Sequence, residues 1–366
     1  MKNLVDILDL SVKELDELMD TAEDIAAHPE KYEDALKHRT LATLFFEPST
    51  RTRLSFESAM LSLGGNVIGF SNAASSSTSK GETLADTITV VSGYADIIAM
   101  RHPKEGAAAV ACAHAYIPVI NAGDGGHYHP TQTLADLLTI RRERGRLDHL
   151  TVGVCGDLKY GRTVHSLLAA MARYPGVEVV LISPEELDLP QFVLEGTLKA
   201  QHIPYRISRS LEAVIGELDV LYMTRIQQER FPDRDTYERL KDVYILDEEK
   251  MKGAKPDTII LHPLPRVNEI SPQLDSDPRA CYFRQTVNGK LMRMALILKL
   301  LSERDVPDVD RRQGEPVEGA YHCENPHCIL TTERGLEPRF YRDAAGTVHC
   351  AHCDAAVRKD HVSPIT

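Results

Sequence analysis

Apolar runs that end in a polar turn and lead straight into a helix recur along this chain, and that recurrence constrains its fold more than any other feature. Leu41 to Phe46 reads as a buried strand. Ser49 or Thr50 then caps a helix, with Pro48 just ahead, and the helix runs to about Leu63, where Gly64 and Gly65 suit its end. Val67 to Phe70, Ala95 to Met100 and Ile117 to Asn121 read as strands, and Thr83 to Tyr94 and Ala107 to Ala115 as helices. After the turn Gly123 to Gly126, His129-Pro-Thr-Gln132 opens a helix with Pro130 at the favoured first position, and Gly145 ends it. A second round starts at Leu150. It has strands at Thr151 to Cys155, Val177 to Ile182, Val220 to Thr224 and Thr258 to Leu261. A glycine turn (Gly156 to Gly161) leads into the helix Arg162 to Tyr174, and a last helix spans about Lys290 to Leu301. Upstream, the capping box Ser11-Val-Lys-Glu14 starts a helix from about Val12 to Ala27, with Leu15, Leu18, Met19, Ala22 and Ile25 as its core face. Strands alternating with helices predict the α/β class, in two domains that each carry a parallel sheet covered by helices. The expected boundaries are 1–133 with a returning helix over 285–302, then 134–284, a linker over 303–321 and a small domain over 322–366.

A chain of 366 residues, 43% of them apolar, can bury two such cores. Its net charge of −12 argues against general nucleic-acid binding, so an anion site has to be a local concentration of base. The start, Met1-Lys-Asn-Leu-Val-Asp, has no apolar signal core, and no window approaches the about 18 apolar residues of a membrane span. Scattered cysteines without a signal peptide fit a reducing cytoplasm.

The chemistry concentrates at strand ends. Strand, tight turn and helix start bring unpaired N–H groups and a positive dipole end to one spot. In the first such turn that spot is ringed by the hydroxyls of Ser49, Thr50 and Thr52 and the guanidinium groups of Arg51 and Arg53, which suits a phosphate. Arg51, Arg101, Arg162, Arg225 and Arg266 all fall just past predicted strands, where open parallel sheets bind ligands. Any one of them alone reads as a solvated surface charge. Five in an acidic protein imply a ligand with several negative charges in a cleft between the domains. Gly156-Asp-Leu-Lys-Tyr-Gly161-Arg-Thr163 mimics a P-loop, with Tyr244-Ile-Leu-Asp247 as an apparent acidic partner strand. Arg162 stands where that motif needs a phosphate-reaching lysine, which argues against nucleotide hydrolysis.

Taken together, Ser49-Thr-Arg-Thr52, Arg101-His-Pro103 and His129-Pro-Thr-Gln132 resemble the carbamoyl-phosphate site of the carbamoyltransferases. Lys80-Gly-Glu82, Gly161-Arg-Thr163, Arg225-x-Gln227-x-Glu229-Arg230 and His262-Pro-Leu-Pro-Arg266 resemble the aspartate carbamoyltransferase catalytic chain, and the resemblance runs from about Leu4 to Leu301. Ornithine enzymes carry a cysteine where Pro263 stands. The resemblance implies transfer of a carbamoyl group from carbamoyl phosphate to the α-amino group of L-aspartate, at the start of pyrimidine synthesis, with no organic cofactor.

It also implies roles. Ser49, Thr50, Arg51 and Thr52 hold the phosphate. Thr52, Arg101 and His129 polarise the carbonyl, and Gln132 holds the carbamoyl NH2. Arg162 and Arg225 grip the two carboxylates of aspartate, helped by Gln227. The backbone carbonyls of Pro263 and Leu264 receive amino-group protons. Ser76 and Lys80 reach a neighbouring subunit's site, Lys80 as a catalytic group touching both substrates, so the serine-rich loop is a lid and the assembly a homotrimer with shared sites. Arg293 matches a family arginine near the site, or else forms a salt bridge between the domains.

In the tail, Cys323-x4-Cys328 and Cys350-x2-Cys353 have the spacing of a zinc ribbon. Four thiolates close a tetrahedral site, so the metal is structural, and a segment this short needs it to fold. The tail resembles the zinc domain of the aspartate carbamoyltransferase regulatory chain. Here it is fused with no room for a nucleotide-binding domain, which puts nucleotide control in doubt. The expectation is that it joins catalytic subunits, pairing trimers. Its basic residues are balanced by acidic ones, against a nucleic-acid role. Two alternatives stay open: a carbamoyltransferase for another amino acid, and a non-catalytic carbamoyl-phosphate-binding scaffold.

Overall fold

The structure, a computed structural model, describes residues 3–73, 77–226, 234–303, 314–319, 321–343 and 346–357. The chain divides into two compact units, one of Met1–Asp9, Asp24–Pro130 and Arg293–Thr366, the other of Leu10–Glu23 and Thr131–Met292. Residues 10–23, expected with the first domain, thus group with the second, and the tail groups with the first unit.

In the first unit, β1 (Thr40–Phe45), β2 (Asn66–Phe70), β3 (Ile97–His102) and β4 (Val119–Asp124) form one parallel sheet in the order β2-β1-β3-β4. Its helices are α2 (Thr50–Ser62), α3 (Leu84–Val91) and α4 (Ala107–His114), and α1 (Val12–Ala27) precedes them in the chain. The predicted core face of α1, Leu15, Leu18, Met19, Ala22 and Ile25, is buried throughout. Gly64 ends α2 with φ +79°, where an added Cβ would collide with the Glu33 carbonyl, so glycine is required there.

In the second unit, β5 (Thr151–Cys155), β6 (Glu178–Ile182), β7 (Tyr205–Ser208), β8 (Val220–Met223) and β9 (Ile259–Leu261) form a parallel sheet in the order β7-β6-β5-β8-β9. The helices are α5 (Pro130–Arg144, its first residue in the first unit), α6 (Arg162–Met171), α7 (Gln191–Val193), α8 (Arg234–Leu240), α9 (Glu248–Met251) and α10 (Tyr282–Ser302, in the first unit from Arg293 on). Two elements differ from expectation, and the apparent P-loop fails as Arg162 implies. Strand β7 was not anticipated, because at the sheet edge its Arg206 and Ile207 are exposed and it carries no apolar run. Tyr244 to Asp247 is no partner strand for a P-loop: Asp247 caps α9, its side chain accepting from the Lys250 N–H. Helix α10 starts eight residues before Lys290, because its first turns bury the polar Gln285 and Asn288 instead of an apolar stripe.

The tail adds an antiparallel sheet, β10 (Glu315–Val317), β11 (Phe340–Arg342) and β12 (Val348–Cys350), in that order. Its apolar residues Ile329, Phe340 and Val348 share one core with Leu84 and Ile88 of α3 and Ala107, Ala108 and Ala111 of α4. Among the described residues no helix is long and apolar enough to cross a membrane.

Candidate active site

Strand order supplies what the sequence could not. In the first sheet the chain passes from β1 outward to β2, then returns to the other side of β1 with β3 and β4. The crevice beyond the strand C-termini at such a reversal is where open parallel sheets take ligands. Here it falls between β1 and β3. The turn after β1 delivers Ser49, Thr50, Arg51 and Thr52 at the start of α2, while β3 delivers Arg101, which lies opposite Phe45 in register. The Phe46 N–H donates to the Arg101 carbonyl at 2.9 Å and fixes the two strand ends together.

Ser49 is the N-cap of α2, and its hydroxyl makes no capping bond to the helix. Thr52 is buried, and Arg51 reaches solvent. Partial burial of the Arg51 guanidinium, and then the charge of Arg101, pull its pKa below the ordinary value, so two cations face one region. Arg101 directs Nε and Nη2 at Oε1 of Glu47, at 3.1 and 2.5 Å. Arg53 belongs elsewhere: it pairs with Glu57 on its own helix at 3.0 Å. Arg293 also acts on α2, donating from Nη1 to Ser55 Oγ at 3.1 Å with its guanidinium over the Phe56 ring. His129 is buried immediately before α5. Lys80 is exposed at the end of the short turn Ser77–Lys80, and among the described residues no hydrogen bond or ion pair ties it to the turn after β1. Ser76 lies outside the described residues.

The second sheet repeats the logic. The chain goes from β5 out to β6 and β7, then back to β8 and β9, so its reversal falls between β5 and β8. Arg162 opens α6 after β5, and Arg225 follows β8. The turn between β5 and α6 is tightly built. A Cβ on Gly156 (φ +115°) would strike the Thr224 carbonyl, and one on Gly161 would strike the Asp157 carbonyl. Thr224 Oγ1 accepts from the Asp157 N–H at 2.8 Å, and Asp157 Oδ1 accepts from the Tyr160 N–H at 2.9 Å. Gln227 lies outside the described residues.

After β9, His262 ties down the loop that carries Pro263 and Leu264. Its Nδ1 accepts from the Leu264 N–H at 2.7 Å, and its Nε2 pairs with buried Glu269 at 2.7 Å. Glu269 also accepts from the Val267 and Asn268 N–H groups. Burial is the largest single influence and raises the Glu269 pKa, but the His262 bond and charge together with the bonds from the Glu269 and Val267 N–H groups outweigh it and lower the pKa. Leu264 takes a left-handed conformation (φ +53°) ahead of a cis bond to Pro265. Arg266, expected to face a ligand, instead forks onto Asp275 and bonds the Tyr282 hydroxyl.

A buried carboxylate that the sequence reading passed over organises this half. Asp136 accepts from Gln132 Nε2 at 2.8 Å, from the Tyr222 hydroxyl at 3.1 Å and from Gln285 Nε2. Gln285 in turn accepts from the His262 N–H at 3.0 Å. Gln132 and the His262 loop are therefore braced by one network. The available signal was an acid set inside the apolar run Leu134-Ala-Asp-Leu-Leu138.

In the tail, the sulfur atoms of Cys323, Cys328, Cys350 and Cys353 lie within 4.8 Å of one another, all four residues buried and none in a disulfide. Cys323 and Cys353 are 3.6 Å apart, and Cys328 and Cys350 4.0 Å. A tetrahedron of thiolates about 2.3 Å from one ion puts its sulfurs about 3.8 Å apart, so this cluster can hold a metal.

Known proteins account for most of the chain. Residues 2–142 match the model of the aspartate/ornithine carbamoyltransferase carbamoyl-P binding domain, and residues 148–300 that of the Asp/Orn binding domain of the same family. The aspartate carbamoyltransferase catalytic subunit of Lachnoclostridium phytofermentans is 61% identical over 302 residues, covering 82% of this chain and 98% of the relative. That of Clostridium novyi is 60% identical over 300 residues, with the same coverage. Among solved structures, the catalytic subunit of M. jannaschii aspartate transcarbamoylase matches with a TM-score of 0.78 at 47% identity, over 84% of this chain and 100% of that one. Trypanosoma cruzi aspartate transcarbamoylase, solved with N-(phosphonacetyl)-L-aspartic acid, matches with a TM-score of 0.77 at 40% identity, over 81% of this chain and 95% of that one. The two domain models follow one another in order along the chain and stop at residue 300, ahead of the cysteine tail, and over that span this chain belongs to the aspartate/ornithine carbamoyltransferase family.

Proposed function

We infer that this chain is an aspartate carbamoyltransferase, which moves the carbamoyl group of carbamoyl phosphate to the α-amino group of L-aspartate and yields N-carbamoyl-L-aspartate and phosphate for pyrimidine biosynthesis. The observation that carries the reading is the pair of guanidinium groups, Arg51 and Arg101, brought to the strand reversal between β1 and β3 beside the start of α2. The names of the relatives support it. Residues 1–133 with 285–302 take carbamoyl phosphate and residues 134–284 take aspartate.

The chemistry follows from charge. The aspartate nitrogen attacks the carbonyl carbon, a C–N bond forms, and the C–O bond to phosphate breaks with the electron pair leaving on phosphate. Ser49, Thr50, Arg51 and Thr52 bind the phosphate, and Arg101, His129 and Thr52 stabilise the oxyanion. Gln132, aimed by Asp136, holds the carbamoyl NH2. Arg162 and Arg225, with Gln227, take the carboxylates of aspartate, and the carbonyls of Pro263 and Leu264 accept hydrogen bonds from its amino group, whose lost proton leaves on the phosphate. Catalysis is positioning and electrostatic stabilisation. Arg101 must exchange Glu47 for substrate, so Glu47 acts as a placeholder for the anion.

Trimer formation, with Ser76 and Lys80 lent to a neighbour's site, is part of the proposal. Its support is an exposed apolar face, Leu54 and Leu61 on α2 and Ile68 on the edge strand β2, at 50%, 60% and 41% exposure. Zinc is the proposed ion, since four closed thiolates are its usual structural site. Cysteines kept reduced for that ion fit a cytoplasmic setting. The test is product analysis with carbamoyl phosphate and a panel of amino acids. Carbamoyl-aspartate as the main product supports the reading, another carbamoylated amine replaces the substrate, and no product leaves a binding scaffold.

A further inference from the structure

Besides the core it shares with α3 and α4, the cysteine module bonds to two loops at the end of the first sheet, and both border residues assigned above to carbamoyl phosphate. The first loop follows Arg101-His-Pro103. Glu105 forms a parallel bridge with Cys328, its N–H donating to the His327 carbonyl and its carbonyl accepting from the Ile329 N–H, both at 2.9 Å. Its carboxylate accepts from Asn325 Nδ2 at 2.7 Å on one oxygen and from the Gly126 N–H at 3.2 Å on the other. The second loop, 124–128, runs directly into His129. Asp354, next to the metal ligand Cys353, accepts from the Tyr128 hydroxyl at 3.1 Å and pairs with His127 Nε2 at 3.0 Å, both through Oδ2. Its Oδ1 accepts from the Tyr341 hydroxyl of β11. The rings of His127 and Tyr128 lie against each other, tilted by 38° with centroids 3.7 Å apart. On its other side, His127 Nδ1 pairs at 3.2 Å with Asp124, which is fully buried and also accepts from the Gly106 and Tyr128 N–H groups.

We propose that the cysteine module positions the carbamoyl-phosphate site of its own chain, with Asp354 as the positioning residue that sets His129 through His127 and Tyr128. The inference rests on the functional reading above. Two metal ligands, Cys328 and Cys353, each adjoin a docking contact. A sulfur cluster that holds its ion thus fixes Glu105 on one side and Asp354 on the other. A module this small does not hold its shape without the ion, so loss of metal releases both loops. The sequence gives no hint of the link, because His127 and Asp354 are 227 residues apart.

The test uses the full chain, wild type and Asp354→Asn, each with and without chelation of its metal. The readouts are steady-state kinetics, calorimetric affinity for inorganic phosphate, and the imidazole NMR signals of His129. Asp354→Asn should lower kcat about tenfold and weaken phosphate several-fold, while the aspartate KM stays within about twofold. The His129 signals should shift. Chelation of the wild type should reproduce these changes, and chelation of Asp354→Asn should add less than about twofold to either, as expected for one coupled unit. Tyr128→Phe keeps the ring and removes one bond, and it should show the same pattern more weakly if Asp354→Asn fails to fold. If both variants and the chelated enzyme keep kcat and phosphate affinity within about twofold while melting earlier, the module is only a clamp and the proposal is overturned. Absence of carbamoyl-aspartate from the wild type would defeat the functional reading instead, and the phosphate and NMR arms would still decide the role of the module. A wild type that binds no phosphate overturns both.

Discussion

Partial burial of the Arg51 guanidinium, and then repulsion from Arg101, hold its pKa below the ordinary value. An arriving phosphate removes the repulsion, and this is why Arg51 should matter to turnover far more than to folding. Arg51→Ala is expected to cost at least about a hundredfold in kcat, the scale of a lost oxyanion or phosphate donor, with the melting temperature unchanged because the side chain reaches solvent. Arg225→Ala should raise the aspartate KM steeply and leave phosphate affinity alone, which calorimetry and initial rates would separate. A third residue answers to pH. Burial keeps His102 neutral down to about pH 4, and its Nδ1 accepts from the Lys104 N–H. The unfolded chain takes up that proton nearer pH 6.5, so between these values the unfolded state holds more protons and the fold weakens as pH falls. His102→Gln should flatten that slope in urea melts recorded from pH 7 to pH 4.

At the level of elements, the loop after β9 carries the backbone carbonyls proposed to receive the amino group. Its carbonyls are useful only if the chain holds them still, and Glu269 does so through His262 and two N–H groups. Glu269→Gln should cost about 1–3 kcal/mol of stability by chemical denaturation, and should raise the aspartate KM in the same protein. Strands and helices that carry apolar runs or caps were legible in the chain: α1, β1, α2, β5 and α5 lie within a residue or two of their expected bounds. The elements missed are those whose buried faces are polar or thin. The first turns of α10 pack Gln285 and Asn288 onto Asp136 and Thr139, and β7 is an edge strand. Arg53 and Arg266 look like ligand groups in sequence, and their carboxylate partners, Glu57 one turn on and Asp275 nine residues on, become visible only in three dimensions.

Across the whole molecule, strand order brings four of the arginines to two sheet reversals. Arg51 with Arg101, and Arg162 with Arg225, flank the two reversals, which no linear pattern reveals because sheet order is not sequence order. The same scale governs assembly. Leu54, Leu61 and Ile68 stand in solvent on α2 and the sheet edge, so Leu54→Glu with Leu61→Glu should give a smaller particle by light scattering and, if sites are shared, a large loss of kcat. That Cys323, Cys328, Cys350 and Cys353 form a cluster able to hold a metal is legible from their spacing alone. Where that module docks was not, since its partners are Glu105, His127 and Tyr128. That docking has a consequence in time. Synthesis runs from the N-terminus, and 227 residues separate His127 from Asp354. At roughly 5–20 residues per second the ribosome takes roughly 10–45 s to cross that distance. Through that interval the nascent chain has the turn proposed to bind phosphate but lacks the brace behind His129, so a segment made much later, once it captures an ion, completes a site begun early.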